Sequence, residues 1–163
     1  MKINELLKKR PTLSFEIFPP KNNENDITSI YATIDELAKM NPDFISVTYG
    51  ANGSTSKNTC KIASTIKNKY GIESVAHLTC MNNTKDEIKE ILEELKENGI
   101  ENVLSLRGDY PKDSDGINHG DFKYASELNE FIEENFPACP NVSIDFGIME
   151  KADNVYVSLG DFG

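Results

Sequence analysis

Residues 14–20 read Ser-Phe-Glu-Ile-Phe-Pro-Pro, a strand pattern that ends abruptly at two prolines. The pattern predicts a first strand over residues 14–18. Glu16 stands in the middle of this strand, where an isolated carboxylate is costly to bury. Burial favours the neutral form of a carboxyl group and so keeps a proton on it near neutral pH. Glu16 is therefore the first candidate for a catalytic residue.

Further apolar runs of strand length follow at residues 44–49, 74–80, 102–107 and 141–145. Each of the first four predicted strands precedes a segment of helical periodicity, with a repeat of about 30 residues. Alternating strands and helices predict right-handed crossovers and a parallel sheet. The predicted fold class is α/β, as either an open doubly wound sheet or a β/α barrel.

Helix boundaries are clearest after the third strand. Thr84 and Glu87 form a capping-box pattern, and Gly99 is placed to end the helix that they begin. A further helix is predicted from about Phe122 to Asn135. Before the first strand, a short leading helix is expected to close one end of the fold, on the apolar residues Ile3, Leu6 and Leu7.

Alternation of side chains along the strands favours the barrel. Successive residues of a strand point to opposite faces, so Glu16 and His77 fall on rows that turn polar toward the strand ends. The fourth strand is read with Leu104 and Leu106 toward the helices and Arg107 on the polar side. Parallel strands covered on both faces are usually apolar throughout. Polar rows therefore predict a face that lines a wet or ligand-filled barrel lumen.

Glu16, His77 and Arg107 are predicted to meet near one rim of this lumen. An acid, an imidazole and a guanidinium on one face are more typical of a functional site than of a packing solution. Ser46 and Ser105 are instead expected to satisfy hydrogen bonds inside a packed barrel. The strand ends therefore hold the candidate site.

Two loops at the strand ends have compositions suited to a ligand. Residues 107–109 read Arg-Gly-Asp, in which the arginine can bind an anionic group and the glycine admits a flat ligand. The aspartate can accept hydrogen bonds from ring N–H groups. Residues 48–53, Thr-Tyr-Gly-Ala-Asn-Gly, fit either an ordinary Asn-Gly turn or a ligand loop. A Walker phosphate loop and a G-x-G-x-x-G pattern are both absent from the sequence, which disfavours a Rossmann dinucleotide site.

Composition excludes several classes of protein. The chain has 163 residues, of which 38% are hydrophobic, and a formal net charge of -10. These values predict one cored domain that is soluble and cytoplasmic, with no affinity for nucleic acid or membrane. Cysteines number 3 and lack a paired C-x-x-C arrangement, so we expect reduced thiols without a disulfide framework or a metal site.

Five segments resemble, in order and spacing, signatures of the methylenetetrahydrofolate reductase family; they are residues 14–21, 46–52, 77–80, 106–109 and 124–126. The resemblance extends from about Leu13 to about Glu133. It implies a flavin-dependent β/α barrel that passes hydride from NADH or NADPH to FAD, and then to 5,10-methylenetetrahydrofolate. The product would be 5-methyltetrahydrofolate, within one-carbon and methionine metabolism.

The resemblance also implies roles for individual residues. Glu16 would be the general acid that helps open the five-membered ring of the folate. Asp109 would lie beside the flavin and pterin rings, as a second catalytic residue. Positions that match contacts to FAD or the nicotinamide donor are Thr48, Tyr49, Ala51, His77, Arg107, Gly108, Asp109, Tyr124 and Ala125.

After about Asn141 the family pattern breaks. Residues 1–141 are predicted to form the N-terminal part of a reductase-like barrel, and residues 142–163 a divergent tail. A complete β/α barrel takes about 250 residues, so we expect about five βα units, a partial (β/α)8 TIM-type barrel truncated before closure. Three alternatives stay open: an active reductase, a truncated non-catalytic flavin- or folate-binding remnant, and a half-barrel completed by a partner chain. Unpaired strand edges also favour a homo-oligomer.

Overall fold

Strands and helices alternate along the chain, as predicted. The computed structural model describes residues 2–19, 24–49, 56–109 and 120–136. Its elements are α1 (Ile3–Leu7), β1 (Ser14–Ile17), α2 (Glu24–Ala38), β2 (Phe44–Val47), α3 (Ser56–Tyr70), β3 (Glu73–Thr79), α4 (Lys85–Glu97), β4 (Asn102–Leu106) and α5 (Ala125–Asn135). Among these helices, none has the length and apolar character needed to span a bilayer. The predicted fifth strand at 141–145 and the tail at 142–163 lie outside the described residues.

The four strands pair in parallel in the order β1-β2-β3-β4. A doubly wound sheet reverses its strand order at a switch point and carries helices on both faces. A consecutive order instead keeps every right-handed crossover on one side of the sheet. The helices therefore cover one face and leave the other to line an interior. This confirms the predicted α/β class and selects the partial β/α barrel.

Two apolar clusters fill the space between the sheet and the helices. The first cluster connects β1 and β2 to α2 and α3; its fully buried side chains include Ile34, Ile45, Val47, Ile62 and Ile66. The second cluster connects β3 to α4 and α5; it contains Leu78, Cys80, Ile88, Leu92, Leu128 and Ile132. Full burial of one such aliphatic side chain stabilises the fold by about 1.5–3 kcal/mol. Their spacing along the helices confirms the predicted helical periodicity of the segments that follow the strands.

Two cysteines contribute to this packing. Cys60 and Cys80 are buried free thiols, in agreement with the prediction. Burial raises the pKa of Cys60 to about 12, with a further contribution from the carboxylate of Glu94. Both thiols therefore behave as small apolar groups of the core. Cys139 lies outside the described residues.

The register of β4 differs from the sequence prediction. His77 pairs with Leu104, and residues paired across parallel strands share a face. Leu104 and Leu106 therefore lie on the same face as His77, opposite the helices. Val103 packs against both apolar clusters, and the Ser105 hydroxyl donates to a backbone carbonyl at the start of α5. The prediction that the two leucines face the helices was wrong.

The ends of α4 agree with the predicted signals. The Thr84 hydroxyl accepts from the Glu87 backbone N–H at 3.3 Å, and the Glu87 carboxylate accepts from the Thr84 N–H at 2.8 Å. Donation from the Thr84 N–H and from the Thr84 hydroxyl to the Glu87 carboxylate lowers the pKa of that carboxyl group. Gly99 follows the helix with φ +73°, a conformation that glycine adopts with little cost. Sequence-local chemistry therefore fixes both ends of this helix.

The leading helix agrees with the prediction, whereas the last helix begins later in the sequence than predicted. The backbone N–H of Ile3 donates to Oδ1 of Asn102, the first residue of β4, at 3.0 Å. Helix α1 thus closes the amino ends of the strands, as predicted. Helix α5 begins at Ala125 rather than near Phe122, which is buried in the second apolar cluster without being helical.

Replacement of Thr84 by alanine is expected to lower the free energy of unfolding by about 1 kcal/mol, because the hydroxyl that accepts from the Glu87 N–H and donates to the Glu87 carboxylate is lost. Chemical denaturation followed by circular dichroism measures this change. Thr65→Ala is the matched control, since that hydroxyl donates to the Lys61 carbonyl inside α3 and caps neither end of the helix. Equal losses in the two variants would contradict the role of the cap.

Candidate functional site

Three polar side chains converge on the sheet face opposite the helices. Glu16 and Ser46 are register partners on β1 and β2. Ser46 Oγ lies 3.5 Å from Glu16 Oε2. His77 Nε2 of β3 lies 3.6 Å from the same carboxylate oxygen. The predicted meeting of Glu16 with His77 is therefore present, and Ser46, which was expected to be a packing residue, belongs to the same cluster.

His77 is the buried member of this cluster. Its side chain is 6% exposed, and within the described part of the chain its Nε2 has no hydrogen-bond partner. Burial lowers the pKa of His77, while the Glu16 carboxylate acts in the opposite direction. The imidazole is thus held in its neutral form near neutral pH. Buried polar atoms are rarely left unpaired, so Nε2 is positioned to bind a ligand.

Glu16 is more exposed than the sequence predicted. Its side chain is 47% exposed, so the expected burial of a lone carboxylate was wrong. The reason is its place in the sheet: β1 has one neighbouring strand among the described residues, and Ser46 and His77, which approach the carboxyl group, both lie on that side. The carboxylate is consequently accessible from the open face.

The Arg-Gly-Asp segment crosses the end of β3. Gly108 has φ +81°, and a Cβ atom there would lie 3.0 Å from Thr79 Cβ. Thr79 belongs to the same row as His77, since alternate residues of a strand share a face. The glycine therefore brings the backbone close to the open face. Asp109, which follows it, is exposed.

Arg107 does not share the row of Glu16 and His77. It follows β4 directly, and the row to which the sequence assigned it, that of Val103 and Ser105, lies on the helix side of the sheet. Burial raises the pKa of the helix-side Cys80 thiol, and the positive charge of Arg107 acts on it in the opposite direction. The prediction that Arg107 lies on the polar face was wrong because the β4 register was wrong. A contact of the exposed guanidinium with a cofactor remains a prediction.

The loop after β2 begins beside β1 and extends toward β3. The Thr48 N–H donates to the Ile17 carbonyl at 2.9 Å, and the Thr48 carbonyl accepts from the Thr59 hydroxyl at 3.0 Å. Tyr49 packs against the second apolar cluster, and its hydroxyl donates to Asn83 Oδ1 at 3.4 Å. Both candidates therefore lie at the carboxyl edge of the sheet. Ala51 lies outside the described residues.

Tyr124 and Ala125 mark the start of α5. The Ala125 carbonyl accepts from the Ser105 hydroxyl at 3.4 Å, which holds the helix start near the end of β4. Tyr124 is 50% exposed. The Glu127 carboxylate accepts from the Tyr124 and Lys123 N–H groups, and these bonds lower its pKa. The two candidates thus lie at the same carboxyl edge as the other loops.

Sequence reasoning missed Asn83 and Gly120. Asn83 is 6% exposed, and its amide nitrogen donates to the Thr79 carbonyl at 2.8 Å. A Cβ atom on Gly120 would lie 2.5 Å from the Asn83 carbonyl oxygen. The only sequence signal was an Asn-Asn pair before the Thr84 cap, which is typical of any turn.

The buried His77 predicts a measurable pH dependence of stability. In the unfolded chain, His77 has the ordinary histidine pKa, near 6.5, and binds a proton below that pH. In the folded chain, its lowered pKa means that the imidazole binds the proton only at lower pH. Stability should therefore fall as the pH drops through this window. His77→Gln removes this titrating group. The decrease in the free energy of unfolding between about pH 7 and about pH 5.5 should therefore be smaller in the variant than in the unmodified chain. Denaturant titrations at both pH values measure it; an equal loss in both proteins would contradict the assignment.

Comparison with known proteins identifies the family. The family model described as Methylenetetrahydrofolate reductase matches residues 2–146. Similar curated proteins include the 5,10-methylenetetrahydrofolate reductases of Pectobacterium carotovorum, 36% identical over 78% of this chain and 41% of that protein, and of Escherichia coli K12, 39% identical over 75% and 40%. Methylenetetrahydrofolate reductase (NADH) 1 of Zea mays is 38% identical over 78% of this chain and 22% of its own length. The chain spans about two fifths of the bacterial relatives, and it belongs to the methylenetetrahydrofolate reductase family.

Proposed function

We propose that this chain carries part of the site of a flavin-dependent reductase, which reduces 5,10-methylenetetrahydrofolate to 5-methyltetrahydrofolate with NADH or NADPH as the donor. Family membership supports the reaction. The observation that carries the proposal is the cluster of Glu16 and the buried His77 on the open face of the sheet, 3.6 Å apart. An acid beside a neutral imidazole supplies the proton-handling groups that such a reaction needs.

The described residues fit a flat, nitrogen-rich cofactor such as FAD. His77 Nε2 offers a buried hydrogen-bonding atom, and the close packing of Gly108 on Thr79 brings the backbone of the Arg-Gly-Asp segment next to the row of His77. FAD would supply hydride transfer between the nicotinamide and the folate. The residues proposed to hold FAD or the nicotinamide donor are Thr48, Tyr49, Ala51, His77, Arg107, Gly108, Asp109, Tyr124 and Ala125.

Glu16 is the proposed general acid. Its exposed carboxyl group can reach a substrate that occupies the open face, and it would donate a proton to the folate ring nitrogen that leaves when the five-membered ring opens. The Ser46 hydroxyl, 3.5 Å from Oε2, helps to orient the carboxyl group. Asp109 is the second proposed catalytic residue, and it would accept hydrogen bonds from ring N–H groups of the bound molecules.

The decisive experiment is a pair of half-reactions on the purified chain. FAD is added, excess is removed, and the visible spectrum reports bound flavin. NADH or NADPH is then added without oxygen, followed by methylenetetrahydrofolate. Loss of the flavin absorbance with the nicotinamide, and its return with the folate, would support the proposal. Retained flavin without the second change would instead indicate a non-catalytic binding remnant, and no retained flavin would overturn the proposal.

Self-association, or completion of the barrel by a partner chain, is a separate proposal. Both outer strands of the described sheet, β1 and β4, have one neighbour within that sheet, and unpaired strand edges favour pairing with another chain. Sedimentation equilibrium of the purified chain measures the state. A monomer over a wide concentration range would contradict self-association.

A further inference from the structure

We infer that Asn83 is a positioning residue that fixes the side chain of Tyr49 at the carboxyl edge of the sheet. The inference rests on the proposed function, because Tyr49 is one of the proposed contacts to the flavin or the nicotinamide donor. It adds a residue that the family resemblance does not provide. Asn83 lies in the loop between β3 and α4, between the loops that follow β2 and β4.

The orientation of the Asn83 amide follows from its own hydrogen bonds. Its Nδ2 donates to the Thr79 carbonyl at 2.8 Å and to the Met81 carbonyl at 3.4 Å. An asparagine amide has two N–H donors, so both are directed at carbonyls of the same turn. The oxygen Oδ1 is then the atom that faces Tyr49, and it accepts from the phenol hydroxyl at 3.4 Å.

The backbone of Asn83 is also fixed, by a hydrogen bond and by close packing. Its carbonyl accepts from the Asp121 N–H at 3.1 Å. Gly120 packs directly on the Asn83 peptide, where an added Cβ would lie 2.6 Å from the Asn83 nitrogen. The Asp121 carboxylate then accepts from the Lys85 N–H at 2.8 Å, at the start of α4. One buried residue therefore joins segments that follow three consecutive strands.

Tyr49 is restrained from two sides as a result. Its ring packs against the second apolar cluster, which includes Leu78 and Met81, and its hydroxyl meets the fixed oxygen of Asn83. Hydrogen bonds of functional groups are often long in the unliganded state and shorten when a ligand binds. Asn83 thus sets the direction of the phenol before a ligand arrives.

Asn98 supplies a matched control for Asn83. Its Nδ2 also donates to the carbonyl four residues earlier, that of Glu94, at 2.8 Å, and its Oδ1 accepts from the Ser64 hydroxyl at 3.0 Å. It lies at the opposite end of α4, as the C-cap. Asn98→Ala therefore removes an equivalent set of bonds away from Tyr49.

The test uses protein labelled with 13C at the tyrosine ring carbon that bears the hydroxyl. The Tyr49 resonance is assigned by its loss in Tyr49→Phe. Asn83→Ala should shift this resonance and weaken FAD binding about 5-fold, the effect of one hydrogen bond, whereas Asn98→Ala should do neither. Tyr49→Phe should weaken FAD binding similarly, and the double variant should be no weaker than either single variant.

Each contrary result has a distinct meaning. A Tyr49 resonance that moves equally in Asn83→Ala and Asn98→Ala would overturn the positioning role. The same conclusion would follow if FAD binding were additive in the double variant. If Asn83→Ala did not fold, Tyr49→Phe with unchanged FAD affinity would also overturn the role. If the resonance moves as expected but the unmodified chain binds no FAD, the proposed function fails while the Asn83–Tyr49 contact stands.

Discussion

Glu16→Gln should slow the folate half-reaction by about 10²–10⁴-fold, the usual contribution of a general acid. Glutamine preserves the shape of the side chain and its ability to accept from Ser46, but it has no acidic proton. Reduction of the flavin by the nicotinamide needs no proton from this carboxyl group, so that half-reaction should remain nearly unchanged. Stopped-flow absorbance without oxygen measures the two half-reactions separately.

Glu36→Gln is the matched control for this variant. Glu36 pairs with Lys39 on the exposed surface of α2, and its side chain is 70% exposed. The control should leave both half-reactions unchanged. Loss of both half-reactions in a folded Glu16→Gln protein would contradict the assignment, because it would indicate damage to flavin binding rather than loss of a proton donor.

Gly120→Ala should destabilise the fold by about 3 kcal/mol, at the upper end of the usual cost of overpacking. The added Cβ would lie 2.5 Å from the Asn83 carbonyl oxygen and 2.6 Å from its nitrogen. Both are backbone atoms of a buried residue, so no flexible side chain can move aside. The segment at Gly120 should therefore detach from the turn before α4, and denaturant titration measures the loss.

Gly99→Ala separates this clash from the cost of backbone conformation. Gly99 has φ +73° and no atom within 4 Å of an added Cβ. Its replacement should cost about 1–2 kcal/mol, through the left-handed conformation alone. A Gly120→Ala protein that is as stable as Gly99→Ala would show that the packing of Gly120 on Asn83 has little energetic weight.

Features encoded by local chemistry were predictable from the sequence. The start of α4 follows from the Thr84 and Glu87 side chains, which bond to backbone groups within one turn. Its end follows from Gly99, which has positive φ. Likewise, the leading helix was predicted from three apolar residues. In each case the interacting atoms are close in sequence or share one amphipathic surface.

Features set by pairing between distant segments were not predictable. The faces of β4 depend on the register of Leu104 against His77, and apolar composition alone assigned that leucine to the wrong side. The exposure of Glu16 depends on which strands flank β1. Asn83 is a candidate positioning residue only because Tyr49 and Gly120, which lie in two other loops, contact it. None of these contacts between distant segments can be identified from a sequence pattern.

The bond between Ile3 and Asn102 sets an order of events during synthesis. It joins residues 99 positions apart, and such distant contacts form late, because a long loop must close first. While the ribosome is still making β4, α1 has no Asn102 side chain to bind. The nascent chain therefore carries an undocked, partly apolar leading segment until Asn102 has been translated, and a chaperone would encounter it in that interval.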